Sequence, residues 1–160
     1  MDIASKSGYP ASALSNFAPH PFVFDGVRCA SMEGLLQALK FKNPLMQEHI
    51  CTLVGKKAKF SGKKKTWYRT QTLWWKGKPI KRNSDEYQEL LDRAYDALAL
   101  NTGFRKALLA THNATLTHNI GGTDPKKTIL TRSEFCSRLT KLRRRMIDEE
   151  RKRSPSYKKT

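Results

Sequence analysis

Acidic residues are scarce in this chain: 14 Asp and Glu stand against 31 Lys and Arg, a formal net charge of +17. Between Gly55 and Arg82 there is no acidic residue at all. A surplus of this size says nothing about fold, but it favours a polyanionic partner through steering and counterion release, with nucleic acid ahead of an anionic membrane. Cysteine is sparse too. Cys29, Cys51 and Cys136 are odd in number, widely spaced and without a CxxC pair, which points to reduced thiols rather than a disulfide framework. The histidines, His20, His49, His112 and His118, show no metal-ligand spacing, so neither a metal nor another cofactor is expected. Long apolar runs and a signal-like start are also lacking, so the expected setting is cytoplasmic with no membrane partner.

What is present suits one domain: 160 residues with 38% hydrophobic content can bury a real core. The expected architecture is α+β, mostly helical, with a small antiparallel β-sheet. Residues 1–147 are read as the domain and 148–160 as a basic flexible tail. Asp25-Gly26 between Phe22–Phe24 and Val27–Cys29 is a strong two-residue hairpin signal. Helices are expected over 31–41 and over Pro44–Val54, the latter ended by Gly55. Three more are expected after Ser84, around Phe104–Leu109 and over 133–146, with a Gly- and Pro-marked loop at 117–129.

The stretch SMEGLLQALKF, residues 31–41, carries a patterned polar face. Met32, Leu35, Leu36 and Leu39 fall on one side of a helix, while Glu33, Gln37 and Lys40, spaced i, i+4 and i+7, fall together on an adjacent one. Ser31 is a plausible N-cap, and Glu33 in the first turn would be favoured as the anion by the helix dipole. Periodicity alone favours a solvated polar face here.

Residues 55–82 interleave cations with Phe60, Trp67, Tyr68, Trp74 and Trp75. A cationic run is commonly only solvated surface, but bases stack on aromatic faces while cations follow phosphates. Lys56, Lys57, Lys63, Lys64, Lys65, Arg69, Lys76, Lys78 and Arg82 are therefore the candidate nucleic-acid contacts. The segment is read as a loop with one short strand near Thr72–Trp75. On a strand Trp74 and Trp75 face opposite ways, one into the core and one out as a base platform.

Several pieces, in order and spacing, resemble the NADAR family of N-glycosidic hydrolases, as a divergent branch. They are Leu14-Ser15-Asn16-Phe17, Pro21-Phe22, Asp25-Gly26, Ser31-Met32-Glu33, Gln37-Ala38 and Lys40-Phe41, then Asn101-Thr102-Gly103-Phe104-Arg105 and Leu108-Leu109-Ala110-Thr111. The resemblance spans about residues 14–145. Where many members carry a glutamate and then an aspartate after that threonine, this chain has Thr117-His118-Asn119-Ile120-Gly121-Gly122 and then Thr131-Arg132-Ser133-Glu134.

The resemblance implies cleavage of a ribose C1–N bond. Its substrates would be ADP-ribose on guanine in nucleic acid, DNA ahead of RNA, or a small phosphoribosylamino-pyrimidine of riboflavin synthesis. A non-catalytic nucleic-acid-binding module on the same fold is the alternative. The charge favours the nucleic-acid substrate, and a phage-encoded chain would act in the host cytoplasm. An oxocarbenium-like transition state needs negative charge near C1 and a proton for the departing nitrogen, which casts Glu33 as electrostatic stabiliser or acid/base. Lys40 either binds phosphate or attacks the ring-opened sugar as a neutral amine, and the second is preferred. Gln37 would hydrogen-bond a ribose hydroxyl or hold its neighbours. Asn16 and Phe17 are candidates for an amide contact and a stacking surface, or else for a turn and the core. His118 and Asn119 occupy the region of the family's second acid and would bind substrate or replace it.

Overall fold

Phe22 and Phe24 point inward and Val23 outward, the alternation of a half-buried strand, and they form β1 (Phe22–Phe24) in the computed structural model, which describes residues 1–154. β1 pairs antiparallel with β2 (Val27–Cys29), Phe22 opposite Cys29 and Phe24 opposite Val27. Asp25 and Gly26 at the turn have φ of 48° and 80°, the left-handed pair that a tight hairpin requires. A short helix, α1 (Ala11–Leu14), precedes the hairpin.

The helix that follows is α2 (Met32–Ala38). Ser31 caps it in both directions: its Oγ accepts from Gly34 N–H at 3.1 Å and donates to the Leu53 carbonyl at 2.9 Å. Met32, Leu35, Leu36 and Leu39 are all buried, as their spacing predicts. Gly34 is needed for close approach, because a Cβ there would lie 2.7 Å from the Leu53 carbonyl oxygen. That carbonyl belongs to the turn after α3 (Pro44–Cys51), whose N-cap Asn43 accepts from Leu45 and Met46 N–H.

The basic segment is more structured than expected. It contains α4 (Gly55–Ser61) and α5 (Trp67–Thr70), then β3 (Thr72–Trp75) paired antiparallel with β4 (Lys78–Lys81). Gly55 begins α4 instead of merely ending α3. The hairpins form separate two-stranded sheets, where one small sheet had been expected. Lys76 and Gly77, with φ of 52° and 83°, turn the second hairpin as Asp25-Gly26 turns the first.

The remaining core is helical. In α6 (Asp85–Leu98) Tyr87, Leu90, Leu91, Ala94, Tyr95 and Leu98 are buried, and Ser84 accepts from Tyr87 N–H as N-cap. Asn101 caps α7 (Thr102–Ala110), which buries Phe104, Ala107 and Leu108. The last helix, α8 (Arg132–Arg153), buries Phe135, Leu139, Leu142 and Met146. It continues through 148–153, which had been read as tail, because Arg151, Lys152 and Arg153 suit the carbonyl end of a helix dipole. The rest of that tail, 155–160, lies outside the described residues. At the other end of the chain Ile3 N–H donates to the Thr117 carbonyl at 2.8 Å, tying the N-terminal segment to the loop before α8. Among the described residues no helix is long and apolar enough to cross a membrane.

Candidate active site

The polar face of α2 forms one wall of a cavity of about 600 Å³, a size suited to a nucleotide-scale ligand. Asn16, Phe17, Glu33, Gln37, Lys40 and His118 all line it. Both ends of the wall are fixed. At the start Glu33 N–H donates to the Asn16 carbonyl at 3.0 Å, bringing the loop before β1 onto the first turn. At the end the buried Gln47 amide donates to the Ala38 carbonyl at 3.0 Å and to the Trp74 carbonyl at 2.8 Å, and Trp74 N–H donates to the Leu39 carbonyl at 2.8 Å. Lys40 lies just past the last helical residue, but its N–H still bonds the Gln37 carbonyl at 3.1 Å, so the polar row continues.

Gln37 donates from Nε2 to Glu33 Oε1 at 3.0 Å. Burial pushes the Glu33 carboxyl above its usual range, overcoming the Gln37 hydrogen bond and the charges of Lys40, Lys59 and His118. The first-turn position had implied the anion. Desolvation in the cavity works against that preference. Lys40 is moved the other way: burial lowers the pKa of its ammonium, with Glu33 opposing, and its Nζ makes no hydrogen bond or ion pair among the described residues. The two groups are thus both shifted toward neutrality, the pattern of groups that exchange protons or attack carbon.

The other walls are basic and aromatic. Lys6, Lys56, Lys59 and Lys127 line the cavity from the N-terminal segment, α4 and the loop before α8. Glu33 is the one carboxylate lining it among the described residues. Asn16 Oδ1 accepts from the buried Tyr95 hydroxyl at 2.8 Å, leaving its Nδ2 donors unused among the described residues. Phe17 is half-buried with Lys59 Nζ 6.0 Å from its ring centroid. His118 Nδ1 donates to the Ile3 carbonyl at 2.7 Å, which fixes the orientation of the ring. Trp67, expected as one of the aromatics of the basic segment but not among the substrate-binding residues, also lines the cavity. Its signal was hidden with the unforeseen helix α5.

Other candidates lie elsewhere. Trp75 is buried against Phe24, with centroids 5.4 Å apart, and donates from Nε1 to Asp25 Oδ2 at 2.9 Å, so it is the core member of the tryptophan pair. Trp74 is half-buried under Lys42, whose Nζ is 5.1 Å from the ring, and does not line the cavity. Asn119 belongs to a separate hollow of about 410 Å³ beside Cys136, and its N–H donates to Asp2 Oδ1 at 2.8 Å. Arg82 is not a surface cation. It is 1% exposed, stacks on Tyr87 and makes a two-pronged ion pair with Glu134 at 2.6 and 3.0 Å. Lys57, Lys63, Lys64, Lys65 and Arg69 are exposed around α4 and α5, and Lys76 and Lys78 are exposed on the second hairpin.

Glu134 is occupied as well. It accepts from Thr131 N–H at 2.8 Å in the capping box of α8 and from Gln88 Nε2 at 2.7 Å. Burial pushes its carboxyl up, but the Arg82 and Gln88 hydrogen bonds outweigh that and hold it below its usual range. No cluster of three or more His, Cys, Asp or Glu fit to hold a metal occurs among the described residues.

The fold has a solved counterpart. The NMR structure of the E. coli protein YbiA, a NADAR-family member, matches with a TM-score of 0.62 at 20% identity, over 94% of this chain and 86% of that one. That likeness makes the fold NADAR-like. In sequence the chain is 41% identical over 148 residues to the "Uncharacterized 17.1 kDa protein in Gp30-rIII intergenic region" of Enterobacteria phage T4, covering 89% of this chain and 96% of the relative. A family model described as Bacteriophage protein GP30.3 matches residues 8–144. The chain carrying this Glu33–Gln37–Lys40 wall therefore belongs to the bacteriophage protein GP30.3 family.

Proposed function

We propose that this protein hydrolyses a ribose C1–N bond, and that its substrate is ADP-ribose carried on guanine in nucleic acid. The observation that carries the reading is the shared cavity of Glu33 and Lys40, where burial moves the carboxyl up and the amine down. Protonated Glu33 gives its proton to the departing guanine nitrogen. The neutral Lys40 amine attacks C1 as the C1–N bond breaks, and the proton it sheds moves to the ring oxygen as the C1–O4′ bond opens, leaving a protonated imine between Lys40 and C1. Water then adds to that imine and releases the sugar as its aldehyde, returning the amine. The rate should be bell-shaped in pH, with limbs belonging to the Glu33–Lys40 pair rather than to either residue alone.

Four lysines besides Lys40 around one carboxylate favour a ligand with several negative charges, as the pyrophosphate of ADP-ribose provides. The nucleic-acid part of the reading rests on the surface beyond the mouth. Lys56 and Lys59 of α4 line the cavity, and the same helix exposes Phe60 (55%), while Tyr68 next to cavity-lining Trp67 is 51% exposed. Cations for phosphates and open aromatic faces for bases are the parts of a single-strand binding shelf.

The test is release of free ADP-ribose from a guanine-ADP-ribosylated single-stranded oligonucleotide. Wild type is expected to release it, and Glu33→Gln and Lys40→Ala to lose about a hundredfold or more. Release only from a phosphoribosylamino-pyrimidine would move the substrate to a free metabolite. Salt-sensitive binding of the oligonucleotide without release from either substrate would reduce the chain to a binding module.

A further inference from the structure

Gly62 follows α4 with φ of −99° and ψ of 0°, a conformation open to any residue, so the path of the chain does not demand glycine there. Its surroundings do. A methyl group at Gly62 would overlap Gln37 Oε1 and lie 2.9 Å from Lys40 Cδ and 3.2 Å from Gln37 Cδ. The nearest atoms to that missing side chain are thus side-chain atoms of the α2 wall, with no backbone among them.

Gln37 is held in an unusual way. Its Oε1 is buried without a hydrogen-bond partner among the described residues, while Nε2 donates to Glu33 Oε1. An unpaired buried carbonyl is costly, and here Nε2, not Oε1, is the end of the amide that meets the Glu33 carboxyl. The amide oxygen occupies the space that a side chain at residue 62 would take. We infer that Gly62 is a positioning residue of the site: by presenting no side chain, it seats the Gln37 amide on Glu33 and leaves room for the stem of Lys40. Its bearing on catalysis rests on the hydrolase reading above, whereas its bearing on Glu33 does not.

Groups facing Glu33 come from every side. Lys40 lies on its own wall, Lys59 on α4, His118 on the loop before α8 and Tyr95 on α6, and Gln37 is the direct hydrogen-bond partner. Displacing Gln37 removes one interaction that favours the anion, and moving Lys40 away removes another. Both changes raise the titration midpoint of Glu33.

The experiment is ¹³C NMR titration of the Glu33 carboxyl in wild type, Gly62→Ala, Gln37→Ala and the double variant, with circular dichroism to check folding. The midpoint should rise in each single variant, and the double should shift by less than the sum, since both act on one contact. ADP-ribose release by Gly62→Ala should fall between about tenfold and a hundredfold in kcat, with KM little changed. An unchanged Glu33 midpoint in a folded Gly62→Ala protein, or additive shifts in the double, would overturn the inference. If Gly62→Ala does not fold, the double decides. Recovery of the fold when Gln37 is shortened locates the clash where it is inferred, and failure of both overturns it. Absence of ADP-ribose release by wild type would remove the hydrolase reading and leave the titration result standing.

Discussion

Two helices of this protein begin alike and use their first-turn glutamate in opposite ways. Ser31 caps α2 ahead of Glu33, and Thr131 caps α8 ahead of Glu134. Both carboxyls are partly desolvated. Glu134 is gripped by Arg82, Gln88 and the Thr131 N–H, and stays a strong anion that joins β4, α6 and α8. Glu33 is buried beside a cavity, with the neutral Gln37 amide as its one side-chain hydrogen-bond partner among the described residues, so its proton is retained to higher pH. Position in a helix therefore does not decide what a carboxylate does. The partner that tertiary packing supplies decides it, and here one glutamate is tied to Arg82 and Gln88 while the other lines the cavity.

The largest effect is expected from removing the reactive member. Glu33→Gln should cost about 10²–10⁴-fold in ADP-ribose release, while folding is retained. Its stability should also depend less on pH. With its folded pKa raised, Glu33 contributes stability that is present below its unfolded value and is lost as pH rises through the folded value. Urea unfolding of the variant should accordingly lack the decline that begins as pH rises above the unfolded glutamate value.

Removing the structural member should act on the fold instead. Arg82→Ala leaves Glu134 charged and partly buried without its main partner, at a cost of about 3–5 kcal/mol, or a fall in Tm of roughly 10 °C. Had Arg82 been a nucleic-acid contact, the variant would keep its Tm and lose affinity for an oligonucleotide. Because Glu134 has a lowered pKa, the stability it contributes is present above its unfolded value and is lost as pH falls through the folded one, the reverse of Glu33.

Smaller effects separate the aromatic residues. Phe60→Ala with Tyr68→Ala should weaken single-stranded oligonucleotide binding, by about 1–3 kcal/mol for each base that loses its platform. Trp75→Phe removes the hydrogen bond to Asp25 and part of a buried ring packed on Phe24, about 1–3 kcal/mol of stability, and should leave binding unchanged. Fluorescence anisotropy at fixed salt distinguishes the two, and the opposite ranking would put the base platform on the second hairpin.

Much of this was legible in the sequence because it is local. The Asp25-Gly26 hairpin, the caps Ser31 and Ser84 and the buried stripe Met32–Leu35–Leu36–Leu39 each follow from a few adjacent residues. The Glu33–Gln37–Lys40 row was visible as a shared helix face, and the structure adds that the face borders a cavity. α4 and α5 were not legible. Neither has a side-chain cap or an acidic first turn, and their sequence is a cationic run that reads as loop. β4 was missed as well, because Pro79 and its flanking lysines read as loop, although Lys76-Gly77 was a usable turn signal. Burial of Arg82 and the raised pKa of Glu33 depend on contacts with other elements, Glu134 lying 52 positions from Arg82, which no local pattern carries.

The claim on which the rest depends is that the cavity holds a carboxyl able to donate a proton. Site-resolved ¹³C titration of Glu33 and Glu134 in the same sample measures it directly. Glu33 is expected to titrate above the ordinary glutamate range and Glu134 below it. A Glu33 midpoint at or below that of Glu134 would mean that Glu33 is a second structural anion, and would contradict its role as the acid.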